Sequence, residues 1–220
     1  ATMRRILVLN PKGGCGKSTL ATNIAAYFAN QGKKVAIADL DPQQSSTDWL
    51  ARRPATAPEI RTAEVQAGRL TAPRSTELII IDSPAGLHGK KLVNFVRTSE
   101  TMIMPLMPSI IDIAAAERFV EELYSLRDLI KRKIKVATVA NRVREDTLSA
   151  AKLDDFLSSM KLPGGRKLPF IAMLRNSQNY VKAAEMGLGI FEFTPSRTGH
   201  DREQLQPLMS WLSSSRSIPD

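Results

Sequence analysis

The run from Arg4 to Thr19, RRILVLNPKGGCGKST, constrains the fold more than any other part of the chain. Its apolar half has the short, continuous character of a strand buried on both faces. Gly13, Gly14 and Gly16 follow at once, and from Ser18 to Gln31 the residues Leu20, Ile24, Tyr27 and Phe28 recur at helical spacing. In a strand, glycine turn and helix in that order, the glycines let successive N–H groups face one anion while the helix adds its N-terminal dipole. A phosphate chain fits such a cradle. Lys17 would reach its β- and γ-phosphates, the Ser18 hydroxyl would ligate magnesium, and Cys15 and Thr19 complete the loop. Pro11 stands where the usual pattern has its first glycine, and a second lysine, Lys12, precedes the glycines.

Beyond the loop, apolar strand-like runs alternate with helical patterns. KVAIADL, ELIIIDS, TMIMPLM, IKVATVAN and KLPFIAM read as strands, a long helix is expected from about Ile110 to Ile130, and another from Thr147 to Met160. This alternation predicts an α/β fold, a doubly wound and mostly parallel sheet with helices on both faces. The stretch from Ala51 to Pro73, with Pro54 and Pro58 and weak periodicity, reads as a surface excursion. At 220 residues, 43% of them hydrophobic, the chain can bury one substantial core, and a single domain over 1–220 is expected.

Composition narrows the setting. One cysteine, Cys15, excludes a disulfide framework or a multi-cysteine metal site within the chain, and a reducing cytoplasm is the natural compartment. No apolar run is long enough to span a bilayer. Thirty-one Lys and Arg against twenty-two Asp and Glu give a net charge of +9, a field that attracts polyanions such as DNA.

KGGCGKST resembles the deviant Walker A motif of the ParA/MinD group of ATPases, and three further motifs fall in the matching order: DLDPQQSS at Asp39 to Ser46, IIIDSPAG at Ile79 to Gly86, and ANR at Ala140 to Arg142. RNSQNYVKAAEMGLGIFEFTPS is similar to the C-terminal region of the same group. The resemblance implies that Lys12 crosses an ATP-bound homodimer to touch the other subunit's nucleotide, where a second cation can neutralise charge on the transferring group. Asp41, just beyond a strand next to the loop, is the candidate to position or activate the attacking water, although an Asp-Pro pair also simply forms turns. Asp39 is a candidate to orient water around magnesium. Asp82 resembles the Walker B aspartate that holds magnesium through a water, with an N-cap or turn role as the plainer alternative. The family implies that Asn141 reads adenine. The aspartate that would read guanine is missing, because Arg144 stands three residues on, and ATP with Mg2+ is therefore the expected ligand.

Basic residues without acids fill Phe156 to Ala184: Lys161, Arg166, Lys167, Arg175 and Lys182, with Arg197 and Arg202 following. The resemblance implies non-specific DNA binding by the C-terminal part of the dimer, and Arg175, Lys182, Arg197 and Arg202 are the candidate contacts. Lys131, Arg132, Lys133 and Lys135 read instead as cations meeting a helix C-terminus. The loop begins ten residues in, which matches small ParA-type partition or positioning ATPases without an N-terminal helix-turn-helix domain. The expected function is partner-stimulated ATP hydrolysis that positions a cargo on the bacterial nucleoid, the partner being ParB-like or otherwise linked to the cargo. Two alternatives stay open: a MinD-like membrane-associated ATPase, disfavoured because LQPLMSWLSSSRSIPD suits a core better than a membrane, and a metabolic P-loop phosphotransferase. A binding module in which ATP is only a structural ligand would be indifferent to loss of Asp41.

Overall fold

The structure is a computed structural model and describes residues 3–10, 12–14, 16–161, 165 and 167–220, with nothing said of the side chains of 128, 130 and 132. In chain order the elements are β1 (Arg4–Val8), α1 (Lys17–Asn30), β2 (Val35–Asp39), α2 (Ser45–Arg52), β3 (Ile60–Thr62), β4 (Glu64–Gln66), β5 (Arg69–Thr71), β6 (Leu78–Asp82), α3 (Gly89–Arg97), β7 (Thr101–Leu106), α4 (Ile110–Ser125), α5 (Arg127–Arg132), β8 (Lys135–Val143), α6 (Leu148–Ser159), β9 (Phe170–Arg175), α7 (Gln178–Glu185) and α8 (Pro195–Ser213). The main sheet has seven strands in the order β3-β2-β6-β1-β7-β8-β9. Its neighbouring strands all run parallel. The expected doubly wound α/β architecture is the observed one.

Strand alternation divides each apolar run between two cores. Ile6 and Val8 of β1, Val35 and Ile37 of β2, and Leu78 and Ile80 of β6 pack with α1 and α8 on one face. Leu7, Ala36, Ala38, Ile79 and Ile81 point the other way, toward α3, α4 and α6. Both faces are covered, which is why these runs are continuous rather than alternating in polarity. In α1, Leu20, Ile24 and Phe28 are buried on the sheet, as their spacing requires, with Tyr27 packed beside them. In α8, Leu205, Leu208, Met209, Trp211 and Leu212 close the first core, which places the apolar part of the C-terminal run inside the molecule. Among the described residues no helix is long and apolar enough to cross a membrane.

Three expectations change. The surface excursion supplies an edge strand, β3, whose Val35–Ile60 register extends the main sheet, and a hairpin, β4–β5. The hairpin turns on Ala67 (φ 49°) and Gly68 (φ 74°), both in the left-handed region that two-residue hairpin turns demand. The long helix is two helices: Leu126 leaves helical geometry at φ −75°, ψ 116° and tucks against the second core, so α5 starts on a new axis. The strand expected to end with IKVATVAN runs on past Asn141 to Val143, so the motif ANR lies within β8. Ala140 pairs Met173 and Val143 pairs Arg175, so β8 carries one extra residue there, with Arg142 at φ 51°.

Candidate phosphate and nucleotide site

Parallel strands leave their carboxyl ends on one edge, and the site forms there, around β1, where later strands add to the opposite side of the sheet. After β1, buried Asn10 holds the entry to the loop: its side-chain amide donates to the Pro105 carbonyl, and its oxygen accepts from the Lys12 N–H at 2.6 Å. Gly14 (φ 78°) and Gly16 (φ 87°) take left-handed angles, and α1 begins at Lys17. Gly16 is required twice over, since a Cβ there would also sit 2.0 Å from Asn141 Nδ2. Pro11 and Cys15 lie outside the described residues, so the role expected of Cys15 has no structural account.

Lys17 is buried, and its Nζ lies 3.2 Å from Asp41 Oδ2. Asp41 is buried as well, and its other oxygen accepts from the Gln43 N–H at 2.8 Å. These two candidate catalytic groups therefore meet inside the cradle. Lys12 does not join them. It turns outward, half exposed, to an ion pair with Asp112 at 3.1 Å, and Asp112 in turn accepts from Ser109, whose hydroxyl oxygen caps α4 by accepting from the Asp112 N–H.

The candidate metal residues Ser18 and Asp82 also converge. Ser18 Oγ donates to Asp82 Oδ2 at 2.7 Å, and so does Ser46 Oγ, also at 2.7 Å. Asp82 is 0% exposed, and its Oδ1 is buried without a hydrogen-bond partner. Burial pushes its carboxyl above the usual carboxylate range, against the pull of the two hydroxyls and Lys17, while the charge of Asp39 adds to the rise. Asp39 accepts from the Thr47 N–H and hydroxyl at 2.8 and 2.9 Å and thus serves the start of α2. The orphaned Asp82 oxygen beside a hydroxyl suits Mg2+, which is bound through one or two carboxylates with phosphate and water oxygens. Among the described residues no three His, Cys, Asp or Glu side chains form a metal cluster, so an ion there would depend on those added oxygens.

Asn141 reaches the loop because the bulge in β8 aims it there, and Arg142 Nη1 donates to the Gly14 carbonyl at 2.9 Å. A cleft of about 320 Å³ opens beside Thr19, lined also by Asn141, Arg142, Asn176, Ser177 and Tyr180. Sequence reasoning missed the last three. Ser46 lay inside the DLDPQQSS motif with no role of its own, and Asp112 carried no local signal, because each acts through a partner distant in sequence.

Two elements fix α2, the helix that follows the Asp41 loop. Trp49 is buried with its indole N–H donating to the Leu188 carbonyl at 3.1 Å, and Arg53 pairs Glu192 at 2.8 Å with both side chains buried. Gly187, at φ 67°, lets the Arg53 backbone pass so closely that a Cβ would lie 2.3 Å from its nitrogen.

The candidate DNA contacts divide. Arg175 makes a bidentate pair with fully buried Asp201, at 2.7 and 3.1 Å. Arg202 donates to Thr198 Oγ1 at 2.8 Å and to the Phe193 carbonyl at 2.6 Å. Lys182 and Arg197 are exposed. Arg166 lies outside the described residues.

The model for the CobQ/CobB/MinD/ParA nucleotide binding domain matches residues 6–190, spanning the loop, both aspartate motifs and the bulged Asn141. The chain belongs to this ParA/MinD family. Its relatives include the maintenance of carboxysome distribution protein A of Gloeobacter kilaueensis, 27% identical over 194 residues that cover 86% of this chain and 85% of that protein. The chromosome-partitioning ATPase Soj of Thermus thermophilus is 26% identical over a 234-residue alignment covering 90% and 92%. Among solved structures, apo McdA of Cyanothece superposes with a TM-score of 0.70 at 15% identity, covering 93% of this chain and 98% of that one. MinD of Aquifex aeolicus gives 0.67 at 17%, covering 96% and 98%. At such identities these two likenesses establish the ParA/MinD fold alone.

Proposed function

We propose that the chain is a ParA-like ATPase that dimerises on ATP, binds DNA without sequence preference, and positions or segregates a cargo through partner-stimulated hydrolysis. The observation that carries this reading is the division between its two loop lysines. Lys17 lies buried in the cradle, already opposite Asp41, while Lys12 projects from the rim and finds Asp112 instead. A lysine so placed serves a phosphate outside its own cradle, and a second subunit facing the rim supplies one.

In this reading ATP enters with its phosphates on the N–H groups of the loop, and Lys17 leaves Asp41 for the β- and γ-phosphates. Asp41, freed of that pair, orients the attacking water. Ser18 and Asp82 would hold Mg2+, which when bound would neutralise phosphate charge. Asn141 and the adjoining cleft take the adenine. Lys182 and Arg197 are the side chains best placed for DNA phosphates; Arg175 and Arg202 shape that surface from within. The relatives' names, a carboxysome distribution protein and a chromosome-partitioning ATPase, are consistent with a cargo-positioning role in a bacterial cytoplasm, on the nucleoid. Dimerisation and partner stimulation rest on the resemblance and on Lys12.

The deciding experiment is binding to non-specific DNA without nucleotide, with ADP and with ATP and Mg2+, for the parent, Lys12→Ala and Asp41→Ala. Binding only with ATP, kept by Asp41→Ala and lost by Lys12→Ala, is the expected result. Binding that ignores nucleotide sinks the proposal.

A further inference from the structure

We propose that Ser46 is a positioning residue for the magnesium site: it fixes which oxygen of Asp82 faces the metal and ties that oxygen to the segment carrying Asp41. The inference rests on the reading of the site as one for ATP with Mg2+.

A carboxylate oxygen offers two lone-pair directions for hydrogen bonds. At Asp82 both on Oδ2 are taken, one by Ser18 and one by Ser46, each at 2.7 Å. Oδ1 receives nothing, although it is buried. An unmet buried acceptor is unfavourable, so this arrangement is explained by an acceptor reserved for a donor that arrives with the ligand, such as a metal-bound water. The carboxylate is thus divided, with one oxygen saturated by the protein and the other left to the ligand.

The two hydroxyls differ in what else they can do. Ser18 belongs to the phosphate loop, and its oxygen can ligate a cation while its O–H goes on donating to Oδ2. Ser46 is on α2, is 0% exposed, and makes its bond to Asp82 from outside the loop. Its neighbours show what the bond joins. Thr47 donates twice to Asp39, and Gln44 donates to the Asp41 carbonyl through both its backbone N–H, at 3.0 Å, and its side chain, at 2.8 Å. The start of α2 is therefore fastened to Asp39, Asp41 and Asp82 together. Ser46 supplies the last of these fastenings. Without its hydroxyl, Oδ2 keeps one donor, the carboxylate is free to rotate, and α2 loses its link to the metal side of the site. Groups that orient metal ligands from behind commonly change metal affinity by about 10-fold or more when removed.

The test is the Mg2+ concentration that half-saturates binding of a fluorescent ATP analogue, measured for the parent and Ser46→Ala, each also in an Asp82→Asn background. Binding in EDTA and the thermal midpoint of each variant are followed in parallel. Ser46→Ala is expected to raise the half-saturating Mg2+ about tenfold, leave binding in EDTA unchanged, and add nothing once Asp82 is Asn. Ser46→Thr, which keeps the hydroxyl, should restore the parent value. An unchanged Mg2+ requirement in Ser46→Ala, or an equal rise in both backgrounds, overturns the role of Ser46 while leaving the ATP site standing. Failure of the parent itself to bind the analogue overturns both.

Discussion

Lys12 Nζ and Asp112 Oδ1 lie 3.1 Å apart, joining the rim of the phosphate loop to the first turn of α4. If Lys12 serves a second subunit, this pair must open first. The lysine is half exposed, and exposed pairs contribute at most about 1 kcal/mol, so the restraint is slight. Asp112→Asn is expected to lower the protein concentration for ATP-dependent dimerisation by a few-fold, measured by analytical ultracentrifugation. A shift toward higher concentration would give Asp112 a different role.

The pair of Lys17 with Asp41 is buried, and a different magnitude applies. Losing one partner of a buried ion pair costs about 3–5 kcal/mol, because the remaining charge has no counter-ion. Asp41→Ala should therefore depress the thermal midpoint of the nucleotide-free protein. Saturating ATP and Mg2+ should close the gap, since phosphate then neutralises Lys17. Calorimetric scans with and without nucleotide test the difference; an equal depression in both argues against a move of Lys17 to phosphate.

Gly16→Ala should spare the fold and lose the ligand. The left-handed angle costs an alanine about 1–2 kcal/mol, which a folded domain tolerates, but the new Cβ displaces Asn141 from the loop. Circular dichroism should be near that of the parent, with ATP-analogue affinity at least tenfold weaker.

The pH response should carry two opposite signs. Burial would raise the carboxyl of Asp201, but hydrogen bonds from Arg175, Asn179 and Ser177 and the Arg175 charge outweigh it and hold it below the usual range. Its contribution is then present above the ordinary carboxylate pKa and lost as pH falls through the depressed folded value. Asp201→Asn should flatten the fall of thermal midpoint in acid. Asp82 is raised, so its ionised form penalises the fold above its folded pKa and the penalty is relieved on acidification. Asp82→Asn should raise the midpoint of the nucleotide-free protein at neutral pH while weakening its response to Mg2+ with ATP.

Much of this fold was legible because the central strands β1, β2, β6 and β7 are buried on both faces and each main helix on one, so the signals lie within ten or so residues. β1, β2, β6 and β7 stand where their apolar runs place them, and the glycine loop announces itself by spacing. The edge strand β3 was hidden because three residues carry no periodicity, and its strand character comes from hydrogen bonds to β2. Arg175 shows the same limit at a candidate site. Its sequence neighbourhood is basic and acid-free, yet Asp201 reaches it from α8.

By itself the sequence determined the α/β class, the phosphate loop and the identity of the groups that could bind or act there, all properties of local pattern and residue chemistry. Tertiary structure decided the pairings: Lys17 with Asp41, Lys12 with Asp112, Ser18 and Ser46 on one oxygen of Asp82, and Asn141 turned onto the loop by a bulge. Those contacts depend on strand order and register, which are fixed by burial of the whole sheet between two helical layers rather than by any short stretch of chain.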